Sequence, residues 1–202
     1  MARRSQAERT AGTRAALVQA ARPLFADKGY AGVGTDELAT AAGVTRGALY
    51  HQFGGKEGLF EAVYEQLSAE IVDHLAAERS PVADVPDPLA SMRHNVDAWL
   101  EVCARPEVHR IAMIEAPAAL GYARWREIGR RHGVALVEEV VAELVRTGLV
   151  VAQPAAPLAH VLIGALEEAA LYAARADEPD RDRATAEARL ALVTLLDGLA
   201  RT

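Results

Sequence analysis

A chain of 202 residues that is 51% hydrophobic and 25% charged can bury a real core and is too apolar for extended disorder. Its single cysteine, Cys103, excludes an internal disulfide framework and indicates a reducing compartment. No apolar run approaches the roughly eighteen residues of a membrane span, and Met1 to Thr10 is too polar for a secretory leader, so a soluble, cytoplasmic setting without a membrane partner is expected. The net charge of −6 is unevenly spread: residues 1–56 carry eight cations against four anions, the remainder 14 arginines against 24 acids. A basic end on an acidic body suits contact with a polyanion; ordinary scatter in composition gives the same tally.

Helical spacing dominates in chain order. Residues 1–10 read as a flexible arm. Leu17, Ala20, Ala21, Leu24 and Phe25 mark one face of a first helix, with Lys28 near its end and Gly29 as a left-handed cap; Pro23 predicts a bend. A second helix is expected from Thr35 as N-cap to about Ala42, with Asp36 and Glu37 in its first turn. After Gly43 a short third helix runs from Thr45 to about Phe53, and after Gly54-Gly55 a long fourth from Lys56 to about Arg79. Pro81–Pro88 is the clearest loop, and Asp87 is placed to cap a helix opening on Pro88 and carrying Met92, Val96, Trp99 and Cys103. Pro106 and Pro117 bracket a short helix, another runs from Tyr122 to Thr147 with Gly148 as its stop, and two more span about 157–175 and 181–199. Leu149 to Val151 has strand character but no second strand to pair with. The fold class is therefore all-α, about nine helices, divided into residues 1–55 and 56–202.

The last two helices are apolar nearly all round, from Val161 to Leu171 and from Leu190 to Leu199. Such a helix is buried on more than one side. At a chain terminus the second covering surface is expected to be another copy of the chain, a homodimer through a four-helix interface; a central place in one domain satisfies the same pattern.

The stretch from Thr35 to Phe53 reads as a helix-turn-helix. Leu38, Ala42, Val44 and Leu49 fall where two helices and their turn share a small core, Ala39 permits close crossing, and Gly43 supplies the turn. With Leu49 inward, Thr45, Arg46, Gly47, Ala48, Tyr50 and His51 face outward, and the opening residues of such a helix enter a major groove of double-stranded DNA. Arg46 suits a guanine edge, and Gly47 and Ala48 keep the surface low. Tyr50, His51, Lys56, Thr35 and Thr45 suit phosphates. Residues 13–60 resemble the DNA-binding domain of TetR-type transcriptional regulators, through Phe25, Gly29 and Tyr30, the Ala42-Gly43-Val44 turn, and Leu49-Tyr50, Phe53 and Lys56-Glu57. Ala116-Pro117 with Trp125-Arg126-Glu127-Ile128 resembles one subgroup. The resemblance implies a homodimeric repressor with an amino-terminal reading head on a palindromic operator. It also implies a larger helical body that binds an inducer, with Thr35, Thr45, Arg46, Tyr50, His51 and Lys56 at the DNA.

For a small-molecule effector the candidate contacts are Asn95, Trp99, Cys103, Met113, Trp125, His132, Glu168 and Tyr172. Asn95, His132 and Glu168 are polar groups interrupting apolar stripes, and each needs a partner once buried. A neighbouring helix, water or a second copy meets that need as well as an effector does, and core packing accounts equally for the tryptophans. A DNA-binding regulator or structural DNA-binding protein without an effector is the alternative. Catalysis is set aside: Gly29 to Gly34 has the wrong order for a dinucleotide fingerprint, Gly55-Lys56 lacks the rest of a phosphate loop, and the six histidines form no close pair. No cofactor and no metal is expected.

Overall fold

The computed structural model describes residues 6–79 and 86–200, with side chains from Thr10 onward. Residues 1–5 of the expected arm, and the loop between Arg79 and Pro86, lie outside the described residues. The helices are α1 (Gln6–Gly32), α2 (Thr35–Ala41), α3 (Arg46–Phe53), α4 (Lys56–Glu78), α5 (Pro88–Ala104), α6 (Pro106–Val108), α7 (Ala116–Leu120), α8 (Tyr122–Arg146), α9 (Ala155–Ala174) and α10 (Arg181–Leu199). A π-helical stretch, His109–Glu115, joins α6 to α7, so the described residues form nine helical rods, the all-α architecture expected. Among them β structure amounts to a single bridge between Val150 and Ala200.

Several boundaries differ from expectation for identifiable reasons. Gln6 to Thr10 are helical, so that part of the expected arm extends α1. Pro23 sits within α1 without leaving helical dihedrals; it is exposed, and solvent can bond the carbonyl its missing N–H abandons. The irregularity comes at Gly29 instead (φ 71°, ψ 171°), a region open essentially to glycine, and the helix resumes to Gly32. Gly34, not Thr35, is the N-cap of α2, because its carbonyl already accepts the Leu38 amide at 3.1 Å. Pro117 does not end the short helix. It lies in the first turn of α7, after the π-turn has widened the backbone and the Ala116 amide has reached back to Ile111. Helix α9 begins two residues before Pro157, whose absent N–H belongs to the first turn and would have had no partner there.

Other signals act as read. Gly43 (φ 66°) closes α2: its amide donates to Thr40 and that of Val44 to Ala39, at 3.0 and 2.9 Å. Gly148 (φ 76°) ends α8 the same way. Asp87 accepts the Ala90 amide at 3.0 Å, with Pro88 as the first helical residue.

One apolar core runs from Leu17, Phe25, Leu38 and Leu49 through Phe60 and Tyr64 to Ile111, Trp125 and Leu171; a second gathers Met92, Leu144, Leu162 and Leu192. Phe60 meets Phe25 edge-on at 4.9 Å and Tyr30 at 5.1 Å. A buried aromatic of this size contributes about 1.5–3 kcal/mol, so the α1–α4 junction is a firm one. Helix α4 packs on α1 and α3 and also on α8, and so belongs to both halves of the chain.

Polar ties cross the same junction. Arg22 on α1 grips Glu107 of α6 with two bonds of 2.7 and 2.8 Å and Glu70 of α4 with a third of 2.6 Å. Gly29 approaches the Arg110–Glu115 pair of the π-helical stretch so closely that a side chain there would collide with both residues.

Candidate nucleic-acid interface and internal cavity

The turn of the helix-turn-helix is built as its residues demand. Leu38, Ala39 and Leu49 are buried, Val33 closes the core from before α2, and Ala42 and Val44 pack against it. With Leu49 inward, Thr45, Arg46, Gly47, Tyr50 and His51 are exposed along α3, while Ala48 and Thr35 are half-buried. The Thr45 hydroxyl accepts the Ala48 amide at 3.2 Å and so fixes the amino end of α3. The Arg46 side chain is 57% exposed, 3.5 Å from Asp36, with its guanidinium 5.5 Å from the centre of the Tyr50 ring. Those contacts hold it loosely, since solvent screens an exposed pair at that distance and leaves the guanidinium available to a bidentate base contact. A Cβ at Gly47 would meet only Thr45 Oγ1, at 3.8 Å, so nothing inside the protein requires glycine there.

Lys56, expected at a phosphate, also has partners within the protein. Its ammonium donates to the carbonyls of Tyr30 and Val33 at 2.9 and 3.0 Å and stacks on the Tyr30 ring at 4.2 Å. It ties the start of α4 to the corner between α1 and α2. Arg14 makes a comparable tie, donating to Gln52 O at 3.0 Å with its guanidinium over the Phe53 ring at 4.2 Å. Gly58 was not singled out in the sequence; a side chain there would run into the Phe53 carbonyl, and only the packing reveals that requirement.

The body contains a cavity of about 190 Å³, partly open to solvent, between α4, α5, α8, α9 and α10 and the π-helical stretch. Four expected contacts line it: Asn95, Trp99, Met113 and Trp125. Both indole N–H groups are satisfied by backbone, Trp99 donating to Leu166 O at 3.0 Å and Trp125 to Ala112 O at 2.7 Å. The other four lie elsewhere. Cys103 is buried in the first core, where desolvation pushes its thiol up and leaves it a packing group. His132 is half-buried beside the arc of α8 that faces the cavity, an arc centred on Gly133 and Val140. Glu168 is exposed and lies 3.9 Å from Arg175, and Tyr172 is exposed with its hydroxyl donating to Glu187 at 2.7 Å. The inward face of α9 passes one residue earlier, and the glutamate in the cavity wall is Glu167.

Glu167 is 7% exposed, its Oε2 has no hydrogen-bond partner, and the nearest cation is Arg126 Nε at 3.5 Å. Burial outweighs Arg126 and Arg130 and pushes the carboxyl up to about 7. Tyr64 shares this wall, its hydroxyl donating to Trp125 O at 3.2 Å, with burial pushing its ionisation well above the ordinary range. Glu167 and Tyr64 were missed because each sits at core spacing within a long apolar stripe, and periodicity alone does not say which stripe encloses a void.

A helix-turn-helix with an exposed second helix, joined through a long helix to a hollow helical body, defines a ligand-gated type of DNA-binding regulator. Comparison with known proteins agrees. The family described as bacterial regulatory proteins, tetR family, matches residues 17–63, and the tetracyclin repressor-like C-terminal domain matches residues 89–199. The chain is 26% identical over 168 residues to the Transposon Tn10 TetC protein of Escherichia coli, covering 83% of each. It is 41% identical over 93 residues to the HTH-type transcriptional regulator TtgR of Pseudomonas putida, a match spanning 46% of this chain and 43% of that one. A crystal structure of a TetR-family transcriptional regulator from Pectobacterium atrosepticum superposes with a TM-score of 0.83 at 36% identity, over 98% of this chain and 99% of that one. The chain belongs to the TetR family of DNA-binding transcriptional regulators. Among the described residues no helix is long and apolar enough to cross a membrane.

Proposed function

We propose that the protein is a ligand-responsive repressor, working in the cytoplasm as a homodimer on a palindromic operator, with a reading head of residues 1–55 on a body of residues 56–202. The observation that carries the DNA half is the row Thr45, Arg46, Gly47, Tyr50 and His51, exposed on a helix whose Leu49 is buried. Arg46 reads a base edge, Gly47 and Ala48 allow close approach, and Tyr50, His51 and Thr35 meet phosphates. Lys56, with its ammonium on two carbonyls, holds the corner that orients α2 and α3 and keeps a third hydrogen for a phosphate.

Dimerisation through α9 and α10 is supported by apolar side chains facing outward there, among them Val161 at 63% and Leu190 at 67% exposure. Two copies joined on that face present two reading helices, and a two-fold site follows. The effector enters the body cavity. Its binding shifts the population toward a spacing of the heads that no longer matches half-sites about 34–36 Å apart. Helix α4, packed on α1 and α8 at once, is the lever, and Arg22 of α1, bonded to Glu70 of α4 and Glu107 of α6, couples α1 and α4 to α6. The test is operator affinity by gel shift with and without a candidate effector. A fall in affinity with effector supports gating; equal affinities eliminate that compound, and equal affinities across a broad metabolite set overturn the ligand-responsive half.

A further inference from the structure

We propose that the body cavity accepts a compact, largely apolar molecule carrying one protonated amine, and that Glu167 is the anchor for that amine; the inference rests on the ligand-responsive reading above. Size comes first. An apolar protein cavity of about 150 Å³ holds benzene, so about 190 Å³ holds a ring with a short chain. The Trp99 and Trp125 N–H groups are bound to backbone, which leaves their rings to the cavity as apolar surface and as partners for a cation.

Charge decides the polar end. Glu78, Glu167 and Arg79 are the wall residues of fixed charge type, and Arg79 already lies 3.4 Å from Glu139 and 3.7 Å from Glu143. An anionic ligand therefore meets one wall arginine, already paired, and the imidazole of His94. A cationic ligand meets Glu167, more than nine-tenths buried, whose Oε2 lacks a hydrogen-bond donor and faces Arg126, outside the wall, as an ion pair at 3.5 Å, leaving Oε1 toward the cavity. A Cβ placed on Gly129 would lie 3.4 Å from Tyr64 Oη and 3.5 Å from Glu167 Oε1, so both oxygens converge on one patch that glycine leaves open. The Tyr64 proton is spent on Trp125 O, and its lone pairs can accept a second ammonium hydrogen. Burial raises the carboxyl despite Arg126 and Arg130, and an arriving ammonium favours its ionised form.

The probes are 4-phenylbutylamine, the uncharged 4-phenylbutan-1-ol and the anionic 4-phenylbutyrate, equal in shape and differing in charge. Both tryptophans of the chain line the cavity, so their fluorescence reports occupancy directly, and calorimetry gives the affinity. The amine is expected to bind at least about tenfold more tightly than the alcohol, as a hydrogen bond to a charged group implies, and the butyrate most weakly. Glu167→Gln should remove the preference for the amine and leave the alcohol unchanged. An alcohol that equals the amine, a butyrate that binds best, no binding by any of the three, or a preference that survives in Glu167→Gln overturns the proposal. Should that variant not fold, the wild-type ranking alone decides. Amine preference lost in Glu167→Gln while DNA affinity stays constant with amine upholds the pocket assignment and counts against gating by this class of ligand.

Discussion

At Arg46 and Lys56 two basic side chains close in sequence have different surroundings, and their substitution tests the proposed separation of reading from building. Arg46→Ala is expected to keep the melting temperature and lose discrimination, by about 1–3 kcal/mol between a specific and a scrambled duplex in competition gel shifts; equal losses on both duplexes would refute base reading. Lys56→Ala strips a donor from two carbonyls and should lower stability by about 1–3 kcal/mol in denaturant unfolding. The glycines divide in the same way. Gly47→Ala meets no obstacle within the protein, so an unchanged melting temperature with weakened DNA binding is expected; Gly58→Ala meets the Phe53 carbonyl and should destabilise the fold. Glu167 gives a pH signature. Its folded carboxyl, at about 7, lies above the unfolded one, so the folded state holds the proton longer and stability falls as pH rises from about 4.5 to about 7. Glu167→Gln should therefore match wild type near pH 4 and exceed it by at most about 3 kcal/mol above pH 8, measured by chemical denaturation; identical pH profiles would contradict the assigned burial cost.

Helices α2 and α3 were the most legible elements, because Gly43, Leu38 and Leu49 each answer a separate local demand and agree in register. Helix α8 was legible in extent, from Tyr122 to its Gly148 stop, yet not in the side it turns to the cavity, which is why His132 was misplaced. Helix α9 shows the same limit: its stripe is apolar almost all round, and one residue of rotation exchanges Glu168 for Glu167. The π-helical stretch left no readable mark, since Pro117 signals a helix end unless a widened turn before it removes the steric conflict. Long-range ties such as Arg22 to Glu107 depend on how rods pack, and no spacing announces them. That tie has its own test. Arg22 holds the Glu107 carboxyl below its ordinary range, so the unfolded state binds the proton more readily and the contribution to stability is lost as pH falls through the carboxylate region. Arg22→Ala should flatten the acid limb of the stability profile, and it should weaken any effector-driven release of DNA if α1 and α6 move together; an acid limb as steep as in wild type would show that the pair carries no net stability.

For the molecule as a whole, the two proposed functional surfaces are the exposed face of α3 and the cavity of the body, with α4 running from one to the other. A third surface, the outward face of α9 and α10, is the proposed dimer interface. Leu190→Glu with Val161→Glu is expected to halve the mass found by light scattering while the folded monomer persists by circular dichroism; a mass unchanged at dimer or at monomer in both proteins would remove that face from the account. The reading head itself is tested most directly by selecting bound duplexes from a random pool with the wild-type chain and with Arg46→Ala. The account requires an enriched, two-fold symmetric motif whose preference at one base pair per half-site fades in the variant. A pool that yields no motif, or one motif that both proteins select alike, would contradict it.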